Sequence, residues 1–120
     1  MERLRRGRRG RLVEEISLKD FKKLDLRVGT VAEVERIPGS DKLYKLKVDM
    51  GDDMRQIVTG LVGYYTEEEL KGKVIIVLTN LKPAKIFGVS SNGMLLAAEF
   101  NGQLALLTTD RSIPNGAKVT

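Results

Sequence analysis

The chain has 120 residues, 42% of them hydrophobic and 31% charged, which is the composition of one globular domain with a modest core. It contains no cysteine and no histidine, which excludes disulfides, Cys/His zinc sites, cysteine nucleophiles and histidine acid–base catalysis. No apolar run approaches the roughly 20 residues of a membrane span, so we expect a cytoplasmic protein that makes no membrane contact.

The net charge of +5 is concentrated at the start of the chain. Residues 1–11 contain six arginines and one glutamate, so residues 12–120 carry equal numbers of cations and anions. A segment this basic and this poor in apolar residues cannot bury a core, and we predict a disordered arm over residues 1–11 and a folded domain over residues 12–120. The arm either adds non-specific affinity for RNA, or is a solvated tail without a role, or reflects a misplaced start codon.

The folded part begins with a short predicted helix. Ser17 is in position to cap its N-terminus, with Asp20 as the acid of a capping box, and the helix is expected to end near Asp25. Leu18 and Phe21 fall on one face at helical spacing, and Leu24 continues that face.

Three strands are predicted next. Residues 27–37 are rich in β-branched side chains, and Gly29 is expected to mark a bulge or a bend. After a turn at residues 38–41, residues 44–50 alternate apolar and charged side chains, which predicts a half-buried strand. A further turn leads to a third strand over residues 54–59.

The second half of the chain is predicted to add one helix, one central strand and one hairpin. Thr66 caps a short helix with acids in its first turn, and residues 74–79 form an apolar central strand. Asn101-Gly102 joins residues 94–100 and 103–108 into a hairpin. This element order is typical of an OB-fold, an all-β, five-stranded Greek-key barrel, here with short helices and N- and C-terminal extensions. An SH3-like barrel is the alternative that spacing leaves open.

The segment over residues 80–99 carries the most functional information. Lys82 and Lys85 flank Pro83, and a glycine-bounded loop of small polar residues follows before an apolar strand starts at Met94. Cations, amide and hydroxyl donors and one soft apolar residue suit contact with a phosphate backbone and a base. No constellation of catalytic groups accompanies them, so the sequence favours binding over catalysis.

Five motifs, in order and at consistent spacing, resemble one family. They are Asp25-Leu-Arg-Val-Gly29, Ser40-Asp-Lys-Leu-Tyr44, Arg55-Gln-Ile-Val-Thr-Gly60, Asn80-Leu-Lys-Pro83 and Ser91-Asn-Gly-Met94. Together they are similar to the tRNA-binding domain found at the C-terminus of methionyl-tRNA synthetases, and especially to its free-standing "beta subunit" form. The resemblance covers residues 16–119. It implies an OB-fold, tRNA binding without catalysis or cofactor, a homodimer, and service to a methionyl-tRNA synthetase as a subunit or accessory factor acting in trans.

Residue chemistry and the resemblance together predict a set of tRNA contacts: Lys42, Arg55, Asn80, Lys82, Lys85, Ser91, Asn92 and Met94. Each has a plainer interpretation, such as solvated lysines, a local hydrogen bond by Asn80, or a core position for Met94. Ser91 is expected to be an adaptable donor and acceptor, and Gly93 to need a positive φ. Phe87 stands where similar proteins often carry arginine or methionine, and it either stacks on a base or packs within its own loop.

The homodimer implied by the resemblance would use elements outside the barrel. Its candidate interface residues are Leu18, Phe21, Leu24, Ile113 and Val119. The alternative for these side chains is packing against their own barrel.

Two further interpretations bear on function. A branch of the same family looks like an export-related chaperone that grips unfolded protein, and a large exposed apolar patch would favour this alternative. The glutamates at positions 67–69 do not converge as metal ligands would, and the helix dipole explains acids in a first turn, so no metal is expected.

Overall fold

The computed structural model describes residues 4–6 and 12–120. Two short strands, β1 (Leu4–Arg6) and β2 (Leu12–Glu14), pair antiparallel near its N-terminus. The sequence predicts a disordered arm over residues 1–11, so β1 is a strand that the sequence does not predict. The rest of the predicted arm lies outside the described residues.

Five antiparallel strands form the central sheet: β3 (Leu26–Arg36), β4 (Tyr44–Asp49), β5 (Met54–Thr59), β6 (Val74–Leu78) and β9 (Met94–Leu95). Their order across the sheet is β5-β4-β3-β6-β9. Two hairpins form separate two-stranded sheets: β7 (Ala84–Ile86) with β8 (Val89–Ser91), and β10 (Ala97–Phe100) with β11 (Gln103–Leu106). The chain thus has the predicted all-β OB-fold. The β10–β11 hairpin turns at Asn101-Gly102 as expected, whereas the β7–β8 hairpin lies where the sequence predicts only a loop.

The long strand β3 pairs with β6 over its first half and with β4 over its second half. The register shifts between Val31 and Glu33, which bends the strand where it changes partner. The irregularity expected at Gly29 therefore lies further along the strand. Gly29 has another role, since a Cβ there would lie 2.6 Å from the sulfur of Met50.

The first helix, α1 (Leu18–Phe21), is shorter than expected and ends four residues before Asp25. Ser17 caps it as predicted, because its hydroxyl accepts a hydrogen bond from the backbone nitrogen of Asp20 at 3.0 Å. The carboxylate of Asp20 does not complete a capping box and instead pairs with Lys23 at 2.9 Å.

The second helix, α2 (Glu67–Leu70), has the complete capping box. Thr66 Oγ1 accepts from the Glu69 backbone nitrogen at 3.1 Å, and Glu69 Oε1 accepts from the Thr66 backbone nitrogen at 2.8 Å. These hydrogen bonds hold the pKa of Glu69 below its usual value. Leu70 ends the helix and is fully buried, so α2 closes one part of the barrel core.

Two apolar clusters stabilise the fold. The inward faces of the strands form the main one, which includes the fully buried Leu46, Ile57, Ile75 and Val77. A second cluster on the outer face of β3 and β6 is covered by α1 and by the C-terminal tail. Within the described residues, no helix has the length and apolar character needed to cross a bilayer.

Candidate nucleic-acid interface

Two loops meet at one end of the barrel. The first loop (residues 37–43) joins β3 to β4, and the second is the connection from β6 to β9, which contains the β7–β8 hairpin. The hairpin turns at Phe87-Gly88, and a Cβ built on Gly39 would lie 3.9 Å from Cζ of Phe87. In OB-folds the corresponding loops flank the strand face that binds oligonucleotides. The structure therefore brings together the elements with which this fold binds nucleic acids.

The β7–β8 hairpin lies along β5 and is held there by hydrogen bonds, the longest of which runs from Arg55 Nη1 to Asn92 O at 3.4 Å. Asn92 N donates to Gln56 O at 2.8 Å, and Gln56 Nε2 donates to Ser90 O at 2.8 Å. Val58 N donates to Ser91 Oγ at 3.0 Å. These bonds join β5 to β8 and to the residue after it, so the loop is positioned before any ligand arrives.

Ser91, which the sequence predicts as an adaptable donor and acceptor for RNA, has a structural position. It is 5% exposed, its hydroxyl accepts from Val58 N, and the same hydroxyl donates to Gly93 O at 3.4 Å. In this structure the hydroxyl both accepts from and donates to the protein itself, and its contact with RNA stays a prediction. Its hydrogen-bond partner is 33 residues distant in sequence, which no local pattern could reveal.

Three of the predicted lysines keep their ammonium groups exposed. Lys42 lies in the first loop, Lys82 at the start of the second connection, and Lys85 on β7. Among the residues that the structure describes, none of the three forms an ion pair. They are therefore available to phosphate groups without the disruption of an existing pair.

Lys47 adds a fourth cation, which the sequence pattern indicates only as an ordinary solvent-facing residue. It lies on the outer face of β4, in register between Glu33 on β3 and Gln56 on β5. Its neighbour Lys45 is paired with Glu35 at 3.1 Å, whereas Lys47 has no ion pair in the described part of the chain. Alternation along β4 predicts that both lysines face outward, but not which one a neighbouring strand neutralises.

A groove of about 560 Å³ lies near the other end of β5. It brings together four of the predicted contacts, Arg55, Asn80, Lys82 and Asn92. The apolar side chains of Met54 and Leu81 also line it. Asn92 lines the groove and its backbone nitrogen bonds to Gln56 O, so the groove adjoins the root of the hairpin. The candidate interface is this surface, from the groove along the hairpin to the first loop.

Two groove residues already hold other parts of the chain. Arg55 Nη1 donates to Thr79 O at 2.7 Å and to Asn92 O at 3.4 Å, and its Nε lies 3.7 Å from the Asp53 carboxylate. Its Nη2 forms no hydrogen bond within the described residues. Asn80 Oδ1 accepts from Asp25 N at 2.9 Å, and its Nδ2 donates to Lys23 O at 2.6 Å. Asn80 thus links the end of β6 to the segment before β3 through long-range hydrogen bonds, not the local one of its plainer interpretation. Arg55 retains only its Nη2 for a ligand.

Asp25 anchors the start of the second connection. Thr79 donates from its hydroxyl to the Asp25 carboxylate and from its backbone nitrogen to Asp25 O at 2.9 Å. Arg27 Nε donates to the same carboxylate at 2.9 Å. The Thr79 hydrogen bond above all, and then Arg27, hold the pKa of Asp25 below its usual value, so this carboxylate stays ionised.

The Gly93–Met94 step combines a backbone requirement with an exposed apolar side chain. Gly93 has the predicted positive φ, at 125°, and a Cβ there would lie 3.0 Å from Leu78 O. Met94 pairs with Leu78 in the β6–β9 register and is 46% exposed, as the binding interpretation requires. It does not line the groove, and its contact with RNA stays a prediction.

The residues predicted for a dimer interface separate into two groups. Phe21 and Val119 pack against the second apolar cluster of their own chain. Leu18, Leu24 and Ile113 remain 67%, 39% and 47% exposed. Only these three present substantial apolar surface to a partner.

The arrangement offers the chemistry of a binding surface. Its groups are ammonium and guanidinium cations, amides and exposed apolar side chains, which contact phosphates and bases. Within the described residues, no three acidic side chains are grouped as metal ligands would be.

The chain matches the family described as "Putative tRNA binding domain" over residues 26–118. It is 53% identical over 106 residues to the methionine–tRNA ligase of Archaeoglobus fulgidus, and 55% identical over 111 residues to that of Methanocaldococcus jannaschii. These alignments cover 88% and 92% of this chain but 16% and 17% of the ligases. The chain therefore spans about a sixth of the length of these relatives.

Two solved structures share the fold but have names of different kinds. A MetRS-related protein from Pyrococcus horikoshii superposes with a TM-score of 0.85 at 41% identity, covering 90% of this chain and 100% of that one. The chaperone CsaA from Bacillus anthracis superposes with a TM-score of 0.80 at 30% identity, covering 88% and 99%. Proteins with this fold therefore differ in function, and the function of this chain has to be inferred from its surface residues.

Proposed function

This chain belongs to the tRNA-binding domain family, and from that premise we propose that it is a non-catalytic protein that binds folded tRNA. The observation that carries the proposal is the set of outward-facing lysines without ion pairs on the candidate interface: Lys42, Lys47, Lys82 and Lys85. Residues 12–120 have no net charge, so a polyanion is attracted by where the cations lie and not by their excess. Lysines and exposed apolar groups suit recognition of phosphates and shape rather than of base sequence.

The test compares two sets of lysines. One variant replaces the four interface lysines with glutamine, and a control replaces Lys19, Lys22, Lys71 and Lys118, which lie on other elements and remove the same charge. We expect the first variant to weaken binding of folded tRNA and to flatten the dependence of log K on log salt by about 0.7–0.9 for each phosphate that the protein no longer neutralises. The control should bind nearly as the wild type does. Equal reductions of affinity in both variants would mean non-specific attraction and would contradict the proposal.

The basic arm is proposed to add affinity without shape preference. Replacing the six arginines of residues 1–11 with glutamine should lower affinity for tRNA and for unstructured RNA by similar factors. Loss of the preference for folded tRNA in this variant would place recognition in the arm instead of the barrel.

We further propose that the chain serves a methionyl-tRNA synthetase in trans, in the cytoplasm, as a subunit or accessory factor. Its similarity to methionine–tRNA ligases and to the whole of a MetRS-related protein supports this role. Tethering tRNA near the enzyme raises its effective concentration. Adding the chain to a methionyl-tRNA synthetase that lacks such a domain should lower the KM for tRNA and leave kcat nearly unchanged. An effect seen only when the two are fused would exclude action in trans.

A homodimer is proposed through α1 and the C-terminal tail, where Leu18, Leu24 and Ile113 are exposed. Sedimentation of a Leu18→Glu/Ile113→Glu variant should show monomer where the wild type shows dimer. Tyr64→Glu, at a similarly exposed position on another part of the barrel, is the control. A monomeric wild type at micromolar concentration would exclude the proposal.

Chaperone activity is the second candidate, favoured by the similarity to CsaA proteins and by the exposed apolar residues of α1 and the tail. Competition between tRNA and an unfolded protein decides between the two functions. If unfolded protein displaces tRNA at equal concentration, and the variant without the four interface lysines binds unfolded protein as the wild type does, the chaperone function is favoured.

A further inference from the structure

We propose that Phe87 is a stacking platform for an unpaired base of the bound RNA, an inference that rests on the proposed tRNA-binding function. Phe87 is 58% exposed and occupies the tip of the β7–β8 hairpin. The sequence alone leaves its role open, because an aromatic here could also pack within its own loop. The exposure excludes full burial in the loop.

The backbone conformation at Phe87 shows that an aromatic side chain does not stabilise this turn. Phe87 and Gly88 have φ values of 54° and 78°, which is the two-residue hairpin turn that favours asparagine followed by glycine. A bulky side chain is a rare outlier at positive φ. The other hairpin has Asn101 at the equivalent position, with φ 48°. An aromatic at the less suitable position is explained by a contact outside the hairpin.

The groups near Phe87 are of the kind that bind a nucleotide. Its ring reaches the first loop, close to Gly39, and Lys42 lies in that same loop. Lys85 precedes it by two residues on β7, and both lysines are exposed without ion pairs in the described part of the chain. An aromatic face between cations is how proteins hold single-stranded nucleic acid, with the base on the ring and phosphates on the cations.

The hairpin holds this ring in a defined position. Its root is bonded to β5 through Gln56, Val58 and Ser91, so little order remains to be acquired when a base binds. Bases inside an RNA duplex are stacked on one another and cannot reach the ring, whereas the loops and ends of folded tRNA offer unpaired bases. Phe87 is therefore expected to contribute to the preference for folded tRNA over duplex RNA.

The test uses the full 120-residue chain with unfractionated tRNA and a long RNA duplex as probes. Phe87→Leu should weaken tRNA binding by about 5- to 150-fold, the range typical of removing one stacked base. Phe87→Trp should restore it. Duplex binding and the salt dependence of tRNA binding should stay as in the wild type, because no charge is removed. Phe100→Leu, at the start of the other hairpin turn, is the control and should bind tRNA as the wild type does.

A second variant separates stacking from turn structure. Phe87→Asn suits the turn and is expected to fold at least as well as the wild type, yet it should lose as much tRNA affinity as Phe87→Leu. Wild-type tRNA affinity in either variant would overturn the inference. Failure of the proposed function looks different, since the wild type itself would then show no preference for tRNA over duplex.

Discussion

The two hairpins of this barrel have the same turn geometry but different side chains at the tip. Asn101-Gly102 has φ values of 48° and 77°, and Phe87-Gly88 has 54° and 78°. Asparagine adopts the left-handed conformation readily, whereas phenylalanine adopts it at a cost of roughly 1–2 kcal/mol. The β10–β11 turn is thus built from residues that suit its backbone. At the β7–β8 turn a residue that suits the backbone poorly is present, and the base contact proposed above accounts for it.

The hairpins also differ in how they are attached. Leu104 and Leu106 of β10–β11 pack against the main core, and Leu106 N donates to the Tyr65 hydroxyl at 3.1 Å. The three residues of β7 are all exposed, and the hairpin is held mainly by hydrogen bonds that Gln56 and Val58 of β5 donate to Ser90 and Ser91 of β8. A hairpin attached by a few specific bonds leaves its outer surface open to a ligand, but it is more sensitive to substitutions at its root.

Gly93 at that root should give the largest effect on stability. Gly93→Ala places a Cβ 3.0 Å from Leu78 O at φ 125°, and we expect it to lower the free energy of unfolding by on the order of 3 kcal/mol. Gly88→Ala at the hairpin tip meets nothing within 4 Å and should cost only about 1 kcal/mol of backbone strain. Urea unfolding measures both, and equal reductions in stability would show that steric contact at Gly93 is unimportant.

Substitution of Ser91 should have the next largest effect on stability. Ser91→Ala leaves the buried Val58 N without an acceptor, which is expected to cost about 1–3 kcal/mol. Ser90→Ala, one residue earlier and on the outer face of the hairpin, should change stability by less than about 0.5 kcal/mol. If the two variants unfold at the same urea concentration, the hydroxyl of Ser91 does not hold the hairpin to β5.

The turn residues of the two hairpins explain why the sequence predicts one hairpin and not the other. Asn101-Gly102 is a strong local signal, and the hairpin is found where it indicates. Phe87-Gly88 carries no such signal, so residues 80–93 are predicted as a loop. The burial of Ser91 depends on a strand 33 residues away, and the availability of Lys47 depends on which neighbour is neutralised. Local patterns predict the barrel strands, the helix caps and the exposed lysines, but not these long-range assignments.

Exchanging the tips tests the comparison directly. Asn101→Phe should lower the free energy of unfolding by about 1 kcal/mol and leave tRNA affinity unchanged, because it introduces strain at a turn without a binding role. Phe87→Asn should raise stability by a smaller amount, about 0.5 kcal/mol. Stability follows from thermal and urea unfolding. A decrease in stability in Phe87→Asn would mean that the ring packs within the protein, contrary to its exposure.

The smallest effect concerns pH, through Asp25 at the start of the connection that carries the β7–β8 hairpin. Its pKa is held below the ordinary value of 3.8, first by the Thr79 hydroxyl and then by Arg27. A carboxylate with a depressed folded pKa stabilises the fold above its unfolded pKa, and this contribution is lost as pH falls through the folded pKa.

The size of this contribution is limited by solvent, since the Asp25 side chain is 32% exposed. Asp20 and Glu69 also have lowered pKa values, so total acid sensitivity does not isolate Asp25. The informative quantity is the difference between the wild type and Asp25→Asn, which should shrink as pH falls below about 4. Hydrogen exchange locates it: the Thr79 amide, bonded to Asp25 O, should lose protection in acid before the Leu107 amide, bonded to Leu96 O beside the other hairpin. Simultaneous loss of protection at both amides would mean that the two hairpins open as one unit, and their different attachment would then have no consequence for local stability.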